Sequence, residues 1–110
     1  IVNWFREGGD GKFMWPGYRE NSRIIKWMID RIEGKTGARE SEIGLFPQEG
    51  AIDLTGLDVK KETMNRLLSV DKEEWKKEVV MIEEFYSKFG DKIPRDLRDS
   101  LKELKDKIGA

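Results

Sequence analysis

Trp4, Phe5, Phe13, Trp15 and Tyr18 crowd into the first 18 positions of this 110-residue chain, interleaved with Gly8, Gly9, Gly11, Pro16 and Gly17. That density of Gly and Pro marks loops and turns, and it leaves no room for a helix or strand of ordinary length. Loops run over protein surfaces, so these rings need cover, either from the rest of the fold or from a flat ligand. Aromatic faces around a slot can sandwich a planar base, and such stacking is worth ~1–3 kcal/mol per base. Stacking alone does not choose among bases. An amide at the rim, such as Asn21, offers both a donor and an acceptor. Those groups can meet guanine O6 and its N1–H/N2–H edge, whereas adenine reverses the exocyclic group and lacks the N1 proton. The competing reading is that the rings fill a junction between the loop and the following helix.

Other chemistry is poorly supplied. The chain has no His, which removes the commonest general base and the commonest transition-metal ligand. Ser22, Ser41, Ser69, Ser87 and Ser100 therefore have no imidazole to activate them, and a Ser-His triad cannot form within the chain. Zero cysteines exclude a disulfide scaffold and Cys-based metal sites, and they suit a reducing compartment. No G-x-x-x-x-G-K-[ST] loop is present to cradle phosphates. Most carboxylates fall on the polar faces of the late helices, where charge patterns are solvated and pKa values stay ordinary. These residues are expected to hold neither a catalytic group nor a metal ligand set.

Charge balance narrows the partners. With 21 basic and 22 acidic residues, the chain has no excess of cations for neutralising phosphates, which argues against a nucleic-acid partner. Arg6, Lys12, Arg19 and Arg23 near the aromatics are offset locally by Glu7, Asp10 and Glu20. No apolar run approaches the ~18 residues of a membrane span, so no membrane partner is expected. The opening IVNWF has neither an initiator Met nor the layout of a signal peptide. It reads as part of something longer.

The elements that must position the aromatic loop follow in order. Ile1 to Phe5, rich in β-branched and aromatic residues, reads as the end of a strand. Arg6 to Lys12 is a polar turn, and Pro16-Gly17 suits a type II turn. A helix starts near Asn21 or Ser22, either of which can serve as the N-cap. Its apolar stripe is Ile25, Met28, Ile29 and Ile32, broadened by Ile24 and Trp27, and Gly34 stops it. Lys35 to Ser41 reads as loop. Ile43 to Phe46 and Ala51 to Leu54 read as two short strands across the turn PQEG, and Pro47 keeps the first from extending.

From residue 58 onward the pattern is helical. Val59 to Leu68 is a short piece. Asp71 followed by Glu74 resembles a capping box and opens a helix carrying Trp75, Val79, Ile82, Tyr86 and Phe89 on one face, closed by Gly90. Pro94 suits the first turn of the last helix, with Leu97, Leu101, Leu104 and Ile108 on its face. Only four residues separate the two, which predicts an antiparallel helical hairpin. The stripes read first as core seams; the alternative is a non-enzymatic helical module that uses the hairpin as a protein-interaction surface. The fold class is α+β, mostly helical: an aromatic loop leading into a helix, a short β-hairpin and a C-terminal antiparallel helical pair, in one domain of about this size.

The run VNWFRE (Val2 to Glu7), then GKFMWPGYRENSRIIKWMIDRIEGK (Gly11 to Lys35), closely resembles the C-terminal part of GTP-dependent phosphoenolpyruvate carboxykinase. The likeness continues more loosely through IGLFPQEGAIDLTGL (Ile43 to Leu57) and into WKKEVVMIEEF (Trp75 to Phe85). The resemblance implies a fragment of a larger α/β enzyme, with residues 1–110 forming its C-terminal guanine-recognition portion. It implies a cytoplasmic lyase of gluconeogenesis that converts oxaloacetate and GTP to phosphoenolpyruvate, CO2 and GDP with a divalent metal, Mn2+ or Mg2+. On the same resemblance Phe5 and Tyr18 flank the guanine base, Phe13 completes the slot and Asn21 reads the base edge. Trp4, Trp15 and Pro16 shape the loop. Two positions depart from the family pattern: Tyr18 stands where Phe is usual and Arg19 where Gly is usual. The family's phosphate loop, metal ligands and substrate arginines lie upstream of this stretch. The implied partners are thus a guanine nucleotide and the remainder of the enzyme. The fragment alone is expected to be catalytically incompetent and prone to self-association through apolar surface.

Overall fold

The computed structural model describes residues 2–110. In chain order, a 3-10 turn (Tyr18–Glu20) leads into helix α1 (Asn21–Ile32), followed by strands β1 (Ala38–Ser41) and β2 (Gly44–Pro47). Helices α2 (Lys61–Leu67) and α3 (Lys72–Ser87), a second 3-10 turn (Gly90–Lys92) and helix α4 (Arg95–Ile108) complete the order. The fold is α+β and mostly helical, with one two-stranded sheet among the described residues. The chain divides into two compact units: residues up to Glu40 with Leu45–Ser69, and Ser41–Gly44 with Val70–Ala110.

The first unit is built on a small core of Trp15, Ile52 and Met64, against which Trp4, Ile24, Trp27, Leu54 and Val59 pack. Its first turn differs from the expected strand end. Residues 2–5 form no strand; the Asn3 side chain accepts from the Phe5 N–H at 3.0 Å, a local bond that competes with strand pairing. Ile1 lies outside the described residues. Further on, Glu7 and Phe13 form an antiparallel bridge around the polar turn.

Helix α1 differs in two ways from the sequence reading. It begins at Asn21 directly out of the 3-10 turn, so neither Asn21 nor Ser22 caps it. It also turns Ile24 and Trp27 inward, while Ile25 and Ile29 are about half exposed and Ile32 is 86% exposed. Residues recurring every three or four positions share a face; Ile24 and Trp27 define the face that meets Trp15, and the rest of the stripe lies beyond it.

The β-hairpin also sits earlier than the sequence predicts. Lys35 to Ser41 reads as loop because Arg39, Glu40 and Ser41 are polar, yet Ala38–Ser41 is a strand. The Arg39 guanidinium lies over the Phe46 ring, 5.1 Å from its centre, and its N–H donates to the Leu68 carbonyl. The tight turn is made by Ser41, whose hydroxyl donates to the Gly44 carbonyl at 2.7 Å and accepts from the Ile43 N–H at 3.3 Å. Gly44 has φ 129°, a value that side chains disfavour. Residues 51–54 form no strand; the turn after Pro47 closes with Ala51 N–H to Gln48 O at 3.0 Å and delivers Ile52 to the core instead.

The second unit follows its periodicity closely. Asp71 caps α3, its carboxylate accepting from the N–H groups of Glu73 at 2.9 Å and Glu74 at 3.2 Å, as an N-cap should. Val79 is 1% exposed and Ile108 2% exposed, with Trp75, Ile82, Tyr86, Leu101 and Leu104 half-buried along the seam. Lys105 Nζ reaches Glu83 at 2.6 Å, linking α4 to α3. Pro94 precedes α4 with φ −56°, and Gly109 ends it in the left-handed region. The predicted helical pair is present with Val79 and Ile108 as its core, but two predicted stripe members fall outside that seam: Leu97 is exposed, and Phe89 is exposed and lies past the end of α3 at Ser87.

Candidate functional site

The aromatic loop sends its rings to two destinations. Trp15 is 6% exposed and belongs to the core, with the Trp4 ring 6.3 Å away and tilted 41°. Phe5, Phe13 and Tyr18 stay out, at 68%, 58% and 92% exposed. Both outcomes trace to the backbone. Met14 N–H to Arg6 O and Gly8 N–H to Lys12 O, each 2.8 Å, zip the two sides of the polar turn together. That zipper sets Phe5 beside Phe13, and their rings meet edge to face at 5.6 Å and 63°, a favoured geometry for aromatic pairs.

Pro16 and Gly17 make the second sorting step. Gly17 has φ 132° and ψ −177°. This is not the type II turn the sequence suggests, in which that position would have ψ near 0°. It is an extended conformation of opposite hand that is essentially restricted to glycine. It lies between a buried Trp15 and an exposed Tyr18. Tyr18 then opens the 3-10 turn, closed by Glu20 N–H to Gly17 O at 3.1 Å. Arg19 lies in that turn with no backbone strain, since no non-glycine residue among the described residues has positive φ.

Asn21 stands where the loop becomes helix, and its Oδ1 accepts from Trp15 Nε1 at 2.8 Å. The bond is partly buried. Trp27, on the same core, has a buried Nε1 without a partner among the described residues. Asn21 thus satisfies the Trp15 indole. The first turn of α1 is bolted in place by Arg23. Its Nε pairs with Glu20 at 2.6 Å, and its Nη atoms donate to the carbonyls of Asp53 at 2.7 Å and Thr55 at 2.9 Å. Asp53 in turn accepts from the Thr55 N–H at 2.9 Å. Hydrogen bonds from Thr55, helped by the nearby Arg23 and Lys26 charges, hold the Asp53 carboxyl below its ordinary pKa. On the other side, Arg6 donates to the carbonyls of Arg66 at 2.8 Å and Ser69 at 3.2 Å, at the end of α2. Cationic side chains suit the unpaired carbonyls of a helix C-terminus.

The structure joins the predicted site residues only in part. Phe5 and Phe13 are brought into contact, Asn21 is joined to Trp15, and Tyr18 projects alone between them in sequence. Sequence reasoning gave Arg6 and Arg23 no part in this arrangement. The carbonyls they bind lie 30 to 63 positions away, and no local pattern announces such a bond.

An open groove of about 570 Å³ lies elsewhere in the same unit, lined by Gln48, Ile52, Leu54, Val59, Met64 and Leu68 among others. No group of three or more His, Cys, Asp or Glu side chains among the described residues is placed to hold a metal ion.

Comparison with known proteins bears directly on this loop. Residues 1–107 match the family described as phosphoenolpyruvate carboxykinase C-terminal P-loop domain. The chain is 49% identical over 108 residues to the protein named phosphoenolpyruvate carboxykinase [GTP] of Arthrobacter sp. (strain FB24), covering 98% of this chain. It is 45% identical over 109 residues to the protein of that name in Renibacterium salmoninarum and 47% identical over 110 residues to that of Neocallimastix frontalis. The chain spans 18% of the length of each of these relatives. Gly34-Lys35-Thr36 has the ending of a phosphate loop, but Ile29 stands where that motif needs its first Gly, and Gly34 terminates α1 with φ 73°. The matched stretch thus lacks the loop for which the domain is called, yet the likeness runs through the aromatic segment and both helical parts, and the chain belongs to the GTP-dependent phosphoenolpyruvate carboxykinase family.

Proposed function

We propose that this chain supplies the guanine-recognition part of a GTP-dependent phosphoenolpyruvate carboxykinase. The base stacks against Phe5 and Tyr18, Phe13 completes the slot, and Asn21 reads the base edge, with Trp4, Trp15 and Pro16 shaping the loop from within. The observation that carries this reading is the sorting of the rings. Two tryptophans are spent on the core, while Phe5, Phe13 and Tyr18 are left exposed on a loop fixed at both ends by arginine-to-carbonyl bonds. Exposed aromatic rings on a braced loop offer sequence-tolerant π faces to a planar ligand.

In the whole protein the corresponding activity is conversion of oxaloacetate and GTP to phosphoenolpyruvate, CO2 and GDP, in the cytoplasm and in gluconeogenesis. Such a reaction draws on a divalent metal, Mn2+ or Mg2+, held in this proposal by the remainder of the enzyme. The present residues contribute nucleotide selection, and the chemistry belongs to the remainder of the enzyme. No helix among the described residues is long and apolar enough to cross a membrane. The exposed Ile25, Ile29 and Ile32 on α1 make self-association of the isolated chain part of the same proposal, to be read by sedimentation.

Titration with GMP and AMP, followed by tryptophan fluorescence, tests the reading. GMP is expected to perturb the emission and AMP not. Affinity should be weak, because one stacking site without phosphate contacts recovers little of the cost of association. Equal responses to the two nucleotides would remove the guanine assignment.

A further inference from the structure

We propose, resting on the guanine reading above, that Trp15 is the positioning residue that sets base selectivity: its indole N–H fixes Asn21 so that the amide presents its NH2 donor, not its carbonyl, to the base. The indole nitrogen is a donor only. At 2.8 Å from Asn21 it demands an oxygen, so the amide has one orientation. Turning it over would set N–H against N–H in a partly buried place. Trp15 itself is held by the core, 6% exposed among Ile52 and Met64 with Trp4 alongside, so the donor stays fixed while ligands come and go.

The consequence is chemical. Read from sequence alone, Asn21 can meet guanine with either end of its amide. With one lone pair of Oδ1 taken by Trp15 and the amide orientation thereby fixed, the donor left for a ligand is Nδ2, which makes no hydrogen bond among the described residues. An outward donor matches the O6 carbonyl of guanine. Against adenine it faces the N6 amine, a second donor, and the pair repels. Discrimination then comes from a mismatch built against adenine as much as from the bond to guanine, as specificity often does. The recognised ligand class is a purine with a 6-oxo group.

The test uses the 110-residue chain labelled with 15N and titrated with guanosine and adenosine, which avoid phosphate charge. In the wild type, guanosine should shift the Asn21 side-chain NH2 resonances while the Trp15 indole N–H signal persists. Trp15→Phe removes the indole donor. The ratio of guanosine to adenosine affinity should then fall toward one, a loss of about tenfold for a single neutral hydrogen bond. A purely structural role would weaken both nucleosides together and leave the ratio unchanged.

Because Trp15→Phe alters the core, Asn21→Asp provides the second arm. Asp keeps an oxygen for the indole and replaces the outward donor with an acceptor. Guanosine affinity should drop about tenfold and adenosine should become the better ligand. If Asn21→Asp binds guanosine as well as the wild type or better, the carbonyl end faces the base and the inference is overturned, with guanine recognition intact. A folded Trp15→Phe that retains its selectivity overturns it equally. If the wild type binds neither nucleoside, the guanine reading fails and this inference falls with it.

Discussion

The two units of this chain reach order by different routes. In the helical hairpin of α3 and α4, the residues that make the core are those the helical period selects, Val79 and Ile108 foremost. Its cap is Asp71, bonded to residues two and three positions on. In the first unit the decisive bonds are long-range. Arg6 reaches Arg66 and Ser69, Arg23 reaches Asp53 and Thr55, and Arg39 reaches Leu68. Three arginines brace loop and turn by binding main-chain carbonyls. The hairpin buries Val79 and Ile108 but leaves Val80, Met81, Phe85, Phe89 and Leu97 exposed, and the braced unit leaves three aromatic rings and half an apolar helix face in the open.

Substitutions can break that contrast, beginning with the strongest. Val79→Asp places a carboxylate at the most buried position of the hairpin, and should cost more than about 3 kcal/mol, enough to melt α3 and α4 in circular dichroism. The same result would set aside the alternative in which the hairpin seam is a partner-binding surface. Arg23→Ala in the other unit removes two bonds to carbonyls and the pair with Glu20. A loss of about 2 kcal/mol in chemical denaturation is expected, given that hydrogen bonds to charged groups contribute ~1.5–3 kcal/mol each and this side chain is partly solvated. Guanine binding should weaken with it, because Asn21 sits on the same turn.

Smaller effects sharpen the comparison. Asp71→Ala loses only a local cap, and about 1 kcal/mol with no change in nucleotide response is expected. Acid should act on the first unit through Asp53. Its folded pKa is lowered by Thr55, so the ionised form favours the fold. That contribution is complete above the ordinary aspartate pKa and is lost as pH falls through the lowered folded value. Asp53→Asn should flatten this part of the acid limb of an unfolding curve, a change in shape rather than in midpoint at neutral pH.

How much of this was legible in the sequence follows from the same contrast. Trp75, Val79, Ile82, Leu101, Leu104 and Ile108 declare a helical pair because every needed signal is within one or two turns. The aromatic loop also declares itself, through ring and glycine spacing from Trp4 to Tyr18. The strand Ala38–Ser41 does not, because its residues are polar and its stability comes from Arg39 over Phe46 and the Leu68 carbonyl. Ala51 to Leu54 misleads in the opposite sense: apolar residues at strand spacing are there to carry Ile52 into the core. Asn21 looks like a helix cap by type and position, and only the geometry shows that its oxygen is given to Trp15. The outward stripe of α1 could not be told from an inward one by period alone.

The central claim is that Phe5, Phe13 and Tyr18 are exposed for a ligand rather than for the fold. Tyr18 isolates it, since a side chain 92% exposed adds little to stability and much to a stacking site. The measurement is GMP affinity and unfolding free energy side by side for the wild type and Tyr18→Ala. Stability should change by less than about 0.5 kcal/mol, while GMP binding should lose the ~1–3 kcal/mol of one stacking partner. Unchanged GMP affinity in a stable Tyr18→Ala chain would contradict the account.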